Sequence, residues 1–194
     1  MALLHKAEIR PNKLELLSAW LPGRGWYSGP DEPEVNRVAA ARFDDPAGAV
    51  GIEILLVRAG DGPVLHVPLT YRGAPLAGAR EFLVGTTEHS VLGTRWVYDA
   101  PGDPVFAAVV AEVIRTGGGQ AAEEVHADGE VIVREPNLLL RGSGSAAPRS
   151  GDLRAGGGEV EIFRTPSAVP TGADAVLTAQ WAGVDSPVML ARLT

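Results

Sequence analysis

The 194-residue chain contains no cysteine, which excludes disulfides, zinc–thiolate sites and a cysteine nucleophile. Lysine is nearly as scarce: fifteen arginines stand against only Lys6 and Lys13. No apolar run approaches the roughly eighteen residues needed to cross a bilayer as a helix. The opening "MALLHKAEIRPNK" lacks the apolar centre of a secretory signal, so the cytoplasm is the expected location and no membrane is expected as a partner. Basic residues are outnumbered to a net charge of −7, which argues against nucleic acid, because phosphate binding needs a basic surface that releases counterions. An apolar fraction of 45% with 21% charged residues is that of an ordinary soluble globular protein.

What is present reads as α+β. "ALLHKAEI" forms a short opening strand, and Pro11 suits the first turn of a helix. Leu14, Leu16, Leu17, Trp20 and Leu21 then follow at helical spacing, and "LPGRG" stops them. "NRVAAARFDDPAG" reads as a strand closed by a turn. Two β-rich runs, Val50–Arg58 and Val64–Arg72, flank Gly60-Asp61-Gly62, a natural hairpin connection. "TRWVYDA" is another strand. "DPVFAAVVAEVIRTGGG" is a helix, with Asp103 as cap, Pro104 first and Gly117–Gly119 as terminator. Beyond a soft boundary near 117–127, "GEVIVREPNLLLRGSGS", "GEVEIFRTP", "AVLTAQWAG" and "PVMLARL" read as short strands. The expected division is 1–119 as an α+β unit and 120–194 as a β-rich part, with a flexible loop at 142–158.

The familiar catalytic patterns are not met. A phosphate-cradling loop needs Gly-Lys-Ser/Thr, but Lys6 follows His5 and Lys13 follows Asn12. "HADGEVIVREPN" imitates the His-x-Asp of a kinase loop with His126 and Asp128, yet Val133 occupies the position of the metal-binding asparagine. "RGSGSAA" does not satisfy Gly-x-Ser-x-Gly. A metal centre would have to gather His66, His89 and either Asp99 or Glu88, which lack ligand spacing. Asp44-Asp45 and Glu123-Glu124 read as solvated surface. No metal or cofactor is implied, and no oligomeric state can be read.

Three stretches, in order, resemble a known family. They are "LLSAWLPGRGWYSG", "LHVPLTYRGAPL" and "LVGTTEHSVLGTRWVYDAPGDPVF". Over residues 10–115 they are similar to the helix and tryptophan/arginine turn, the apolar-Pro-apolar strand ending in Tyr-Arg, and the closing apolar-Gly turn, aromatic-Val-Tyr-Asp strand and Asp-Pro helix of the N-terminal cap of bacterial maltokinases. Gly25-Trp26-Tyr27 departs from that cap's usual Arg-Trp-Phe pattern. The resemblance implies a cystatin-like curved antiparallel sheet with an N-terminal and a late helix. In the family the cap precedes a kinase that phosphorylates maltose for α-glucan synthesis. With the kinase residues not found here, the resemblance implies a stand-alone, non-catalytic cap-like protein. Its expected partner is a kinase or glucan-pathway enzyme, in maltose, trehalose or glycogen metabolism.

Seven residues are candidates for a ligand or partner surface. Trp26 and Tyr27 follow a glycine-rich turn, where they either stack on a ligand such as an α-glucan or close the core against Trp20. Strand alternation puts Val67, Leu69 and Tyr71 on one face and Pro68, Thr70 and Arg72 on the other. It likewise separates Arg95, Val97 and Asp99 from Trp96 and Tyr98. Arg72, Arg95 and Asp99 are expected to form a polar network, architectural rather than ligand-binding. Pro68 marks an edge or bulge with backbone groups open to a partner strand. Glu88, His89 and Arg95 remain as acid/base and anion-binding groups should the chain be a small enzyme.

Overall fold

The computed structural model describes residues 2–4, 8–127, 130–145 and 158–194, so most of the expected 142–158 loop lies outside the described residues. The fold is α+β. Strands β1 (Ala2–Leu4) and β2 (Ile9–Arg10) precede helix α1 (Lys13–Trp20), and β3 (Val35–Phe43), β4 (Val50–Ala59), β5 (Val64–His66), β6 (Leu69–Arg72), β7 (Leu83–His89) and β8 (Gly93–Asp99) follow it. Helix α2 (Pro104–Thr116) follows, then β9 (Glu123–Ala127), β10 (Glu130–Arg134), β11 (Leu138–Gly142), β12 (Val160–Ala168), β13 (Val176–Trp181) and β14 (Val188–Leu193). The main sheet is antiparallel and strongly curled, in the order β2-β7-β8-β6-β4-β3, with β5 added on β4. A second sheet runs β11-β13-β14-β12, and β1 pairs with β9 beside β10.

Local chemistry accounts for the helices. Asn12 accepts from the Leu14 and Glu15 amides at 2.9 and 3.1 Å, and Glu15 accepts from the Asn12 amide at 2.7 Å. This is a reciprocal capping box, and it sets Pro11 just outside the helix rather than in its first turn. Asp103 caps α2 through the Val105 amide. Gly117, at φ 69°, closes that helix in the left-handed conformation that glycine adopts without strain.

The central strand β4 is buried along nearly its whole length, so it reads as a continuous apolar run rather than an alternating one. On one face Leu55, Val57, Leu69 and Val97 pack against Leu17, Trp20 and Leu21. On the other, Ile52, Ile54 and Leu56 meet Phe106, Val110 and Ile114 of α2, and the same cluster continues into Leu138, Leu177 and Leu190 of the second sheet. Truncating the fully buried Phe106 to alanine costs about 3–5 kcal/mol by loss of transfer energy and creation of a cavity.

The structure differs from the sequence reading in several elements, β9 among them, which occupies the expected boundary region near 117–127. The opening strand is divided into β1 and β2, which pair with β9 and β7 respectively. The run Val64–Arg72 is broken between β5 and β6 at Val67-Pro68. Pro68 cannot donate to a ladder, and its carbonyl accepts from the Ala100 amide at 2.9 Å, so that group is not open to a partner strand. Strand β7 goes unread because Val84-Gly85 resembles a turn. Gly85 is strand all the same, with α1 laid across it: a Cβ there would stand 2.8 Å from Leu16 Cδ2.

Candidate functional site

The concave face of the curled sheet carries a cleft of about 470 Å³ between α1, the β3–β4 turn and the β7–β8 hairpin. Cross-strand register explains which residues meet there. Arg42 pairs with Glu53, Gly51 with Tyr71, Tyr71 with Val97, Arg95 with Thr87, and His89 with Ile9. Directly paired residues share a face, so all of these side chains project toward α1. Gly48, Ala49 and Gly51 also line the cleft, and their minimal side chains leave it open.

A buried carboxylate sits at the edge of this space. Glu53 is 3% exposed and accepts from Lys13 Nζ and, at 2.6 Å, from the Tyr71 hydroxyl. Burial works to raise the Glu53 pKa, but Lys13 and Arg42 outweigh it and the net shift is downward. The Tyr71 phenol is pushed well above its ordinary value by burial and by the Glu53 charge. Glu53 is thus held as a carboxylate and Tyr71 as a neutral donor. Neither is poised to exchange a proton near neutral pH.

The sequence-selected residues fall in three places. Arg95 and His89 line the cleft. His89 Nδ1 accepts from the Val91 and Leu92 amides at 3.2 and 3.1 Å, so it shapes the β7–β8 turn. Glu88, exposed on the same hairpin, accepts from the Thr94 hydroxyl at 2.8 Å. Ile9, Val91 and Leu92 are exposed apolar side chains at this end of the sheet.

Arg72 does not join Arg95 and Asp99. Its partner across the sheet is Trp96, which places it on the opposite face. There its guanidinium grips Asp103 with two bonds of 2.7 Å, tying β6 to the N-terminus of α2. Burial works to raise the Asp103 pKa, but the Arg72 fork and the Val105 amide prevail and lower it.

Asp99 is also claimed elsewhere. It receives Arg164 of β12 in a two-pronged pair at 2.9 and 2.5 Å. The same guanidinium lies 4.5 Å from the centre of the Trp26 ring. Trp26 in turn meets Trp20 edge-on at 6.0 Å, and Arg24 lies 4.8 Å from the Trp20 ring centre. The result is a chain of guanidinium and indole groups joining the main sheet to the second sheet. Tyr27 donates to the Pro30 carbonyl at 3.2 Å.

Sequence reasoning missed Lys13, Arg42, Glu53 and Tyr71 as members of one cleft, and Arg164 as the partner of Asp99. Arg164 lies 65 residues beyond Asp99, and nothing local signals that pairing. The Arg42–Glu53 pairing lies on the turn side of the bulge between Arg37 and Ala39, so the length of the β3–β4 turn alone could have signalled it.

The order of helix, indole-bearing turn, Tyr-Arg strand and Asp-capped helix is what a family comparison tests. Residues 20–103 match the maltokinase N-terminal cap domain. The match runs from the last residue of α1 to the cap of α2, and confirms the resemblance read from the sequence. Trp26, Arg72, Arg95 and Asp99 all fall within this cap-like segment, whereas Arg164 lies beyond it. No curated protein matches the chain. No helix among the described residues is long and apolar enough to cross a membrane.

Proposed function

We propose that this chain is a non-catalytic cap-like module that acts as an accessory or regulatory partner of an enzyme in maltose, trehalose or α-glucan metabolism. The observation that carries the reading is the cap-domain match over residues 20–103, together with the structural employment of its charged groups. Arg72 and Asp103 staple a helix, Asp99 and Arg164 join two sheets, and Lys13 neutralises Glu53. No nucleophile stands within hydrogen-bond reach of a free base among these groups, as acyl or glycosyl transfer would need.

The face suited to a partner is the end of the β7–β8 hairpin, where Val91 and Leu92 are 59% and 47% exposed beside Ile9. Exposed apolar side chains rimmed by polar ones suit protein contact. A glucan-stacking role for Trp26 is disfavoured by the Arg164 guanidinium that covers its ring.

The test mixes the purified chain with a maltokinase and with enzymes that make or degrade α-glucans, reading complex formation by sedimentation and turnover by assay. A complex or altered kinetics, weakened by the double substitution Val91→Ser/Leu92→Ser, is expected. Absence of both effects across those enzymes overturns the reading.

A further inference from the structure

The concave cleft adjoins a second, smaller one that shares Lys13 and Arg42 with it and adds Glu53, Arg37 and Arg134. Five of the protein's 17 basic residues therefore line one continuous region of a chain whose net charge is −7. Its carboxylates are Glu53 and Glu135, and Glu53 is already matched by Lys13 and Tyr71. Neither Arg42 nor Arg95 has a carboxylate at ion-pair distance among the described residues. Arg95 thus faces the recess with no counter-charge among the described residues, and Arg42 shares the single Glu53 charge with Lys13, in a protein that elsewhere pairs Arg72 and Arg164 with two bonds each.

From this geometry we infer that the cleft is a binding site for a small phosphoryl-bearing organic molecule. A guanidinium offers a planar fork that matches a phosphoryl group, and charge-assisted pairs of this kind are about twice as strong as neutral ones. Arg95 lies close over the backbone at Gly73, where a Cβ would stand 2.7 Å from its Nη1, so its course toward the floor is constrained. The floor of Gly48, Ala49 and Gly51 gives the anion room, while Leu16, Val97 and Leu92 offer an apolar wall for the rest of the molecule. The volume of about 470 Å³ is that of a small-molecule site rather than of a polymer groove. This inference does not need the accessory-partner reading, although Leu92 belongs to both surfaces: the arginine substitutions bear on the cleft alone.

The experiment is calorimetric titration of the full chain at low salt with four probes: inorganic phosphate, phenyl phosphate, benzoate and phenol. Phenyl phosphate is expected to bind about tenfold more tightly than inorganic phosphate, because its ring adds apolar burial worth at least ~1.4 kcal/mol. Phenol is expected not to bind, and benzoate to bind more weakly than phenyl phosphate. Arg42→Gln and Arg95→Gln should each weaken phenyl phosphate at least about fivefold, by loss of a charge-assisted contact. Arg58→Gln, on an exposed side chain of β4, should leave it unchanged. Thermal melts of each variant establish that it is folded. No heat with phenyl phosphate at about 10 mM, an affinity weaker than any ordinary metabolite site, overturns the inference. So does binding that survives both arginine substitutions. Equal affinity for benzoate overturns the phosphoryl assignment.

Discussion

Substituting Asp103 by asparagine isolates the contact that joins the curled sheet to its second helix. The carboxylate is fully buried, caps α2 through the Val105 amide and receives two 2.7 Å bonds from Arg72. Asparagine retains an oxygen for the cap but cannot accept both prongs of the guanidinium. Breaking a buried ion pair costs about 3–5 kcal/mol. Arg72 keeps 20% of its side chain exposed and can recover some hydration, so the lower figure of about 3 kcal/mol applies. For a chain of this size that corresponds to a melting temperature lower by roughly 6–12 °C. Arg72→Met should cost a similar amount, since it strands a buried carboxylate that only the amides of α2 then stabilise. The double substitution should cost less than the sum of the two, with a coupling of about 2 kcal/mol or more. Because folding lowers the Asp103 pKa, its contribution is present above the unfolded value, near 3.8, and is lost as pH falls through the folded one. Asp103→Asn should therefore flatten the acid limb below about pH 4. Urea titrations and thermal melts of the four proteins at two pH values measure all of this. A melting shift under about 2 °C with additive single effects would refute the reasoning, since a surface pair behaves that way.

Arg164→Met should remove the pair with Asp99 and the cover of Trp26 together, costing about 3 kcal/mol and shifting tryptophan emission; unchanged emission would show that the indole is not stacked in solution. His66 is fully buried beside Phe163, with its pKa lowered to about 3 by burial and by Arg164. The unfolded chain takes up that proton near pH 6.5, so stability should fall as pH drops from about 6.5 toward 3, by up to ~1.4 kcal/mol per unit. His66→Gln should abolish this slope between about pH 4.5 and 6.5, above the carboxylate range; an unchanged slope assigns it to other groups. At Gly144 a Cβ would stand 1.9 Å from the Arg115 carbonyl oxygen, whereas at Gly85 it would meet only the end of Leu16. Gly144→Ala should therefore cost about 3 kcal/mol or more and Gly85→Ala about 1, at the two ends of the range for overpacking; denaturant titration giving the reverse order would show that the α2–β11 approach is looser than described.

The boundary between what the sequence reveals and what it hides follows the range of the forces involved. Asp103-Pro104 and the glycines after Thr116 announce α2 because capping is settled within a few residues of the chain. Alternation in "TRWVYDA" likewise assigned Trp96 and Tyr98 to the opposite face from Arg95 and Asp99. Alternation says nothing about register, however, and register decides who meets whom. Arg72, Arg95 and Asp99 look like one network when each strand is read alone. Opposing Arg72 to Trp96 and Leu69 to Asp99 sends Arg72 to the α2 face. Asp99 then takes an arginine from the second sheet, and Arg95 is left over the cleft without either of them. The residues with catalytic appearance in Glu88–Asp99 are thereby separated into a turn former, a sheet-to-sheet anchor and a guanidinium with no carboxylate partner among the described residues. The first is claimed by amides of its own hairpin and the second by an arginine 65 residues away, which leaves Arg95 as the member on which the proposed cleft site rests.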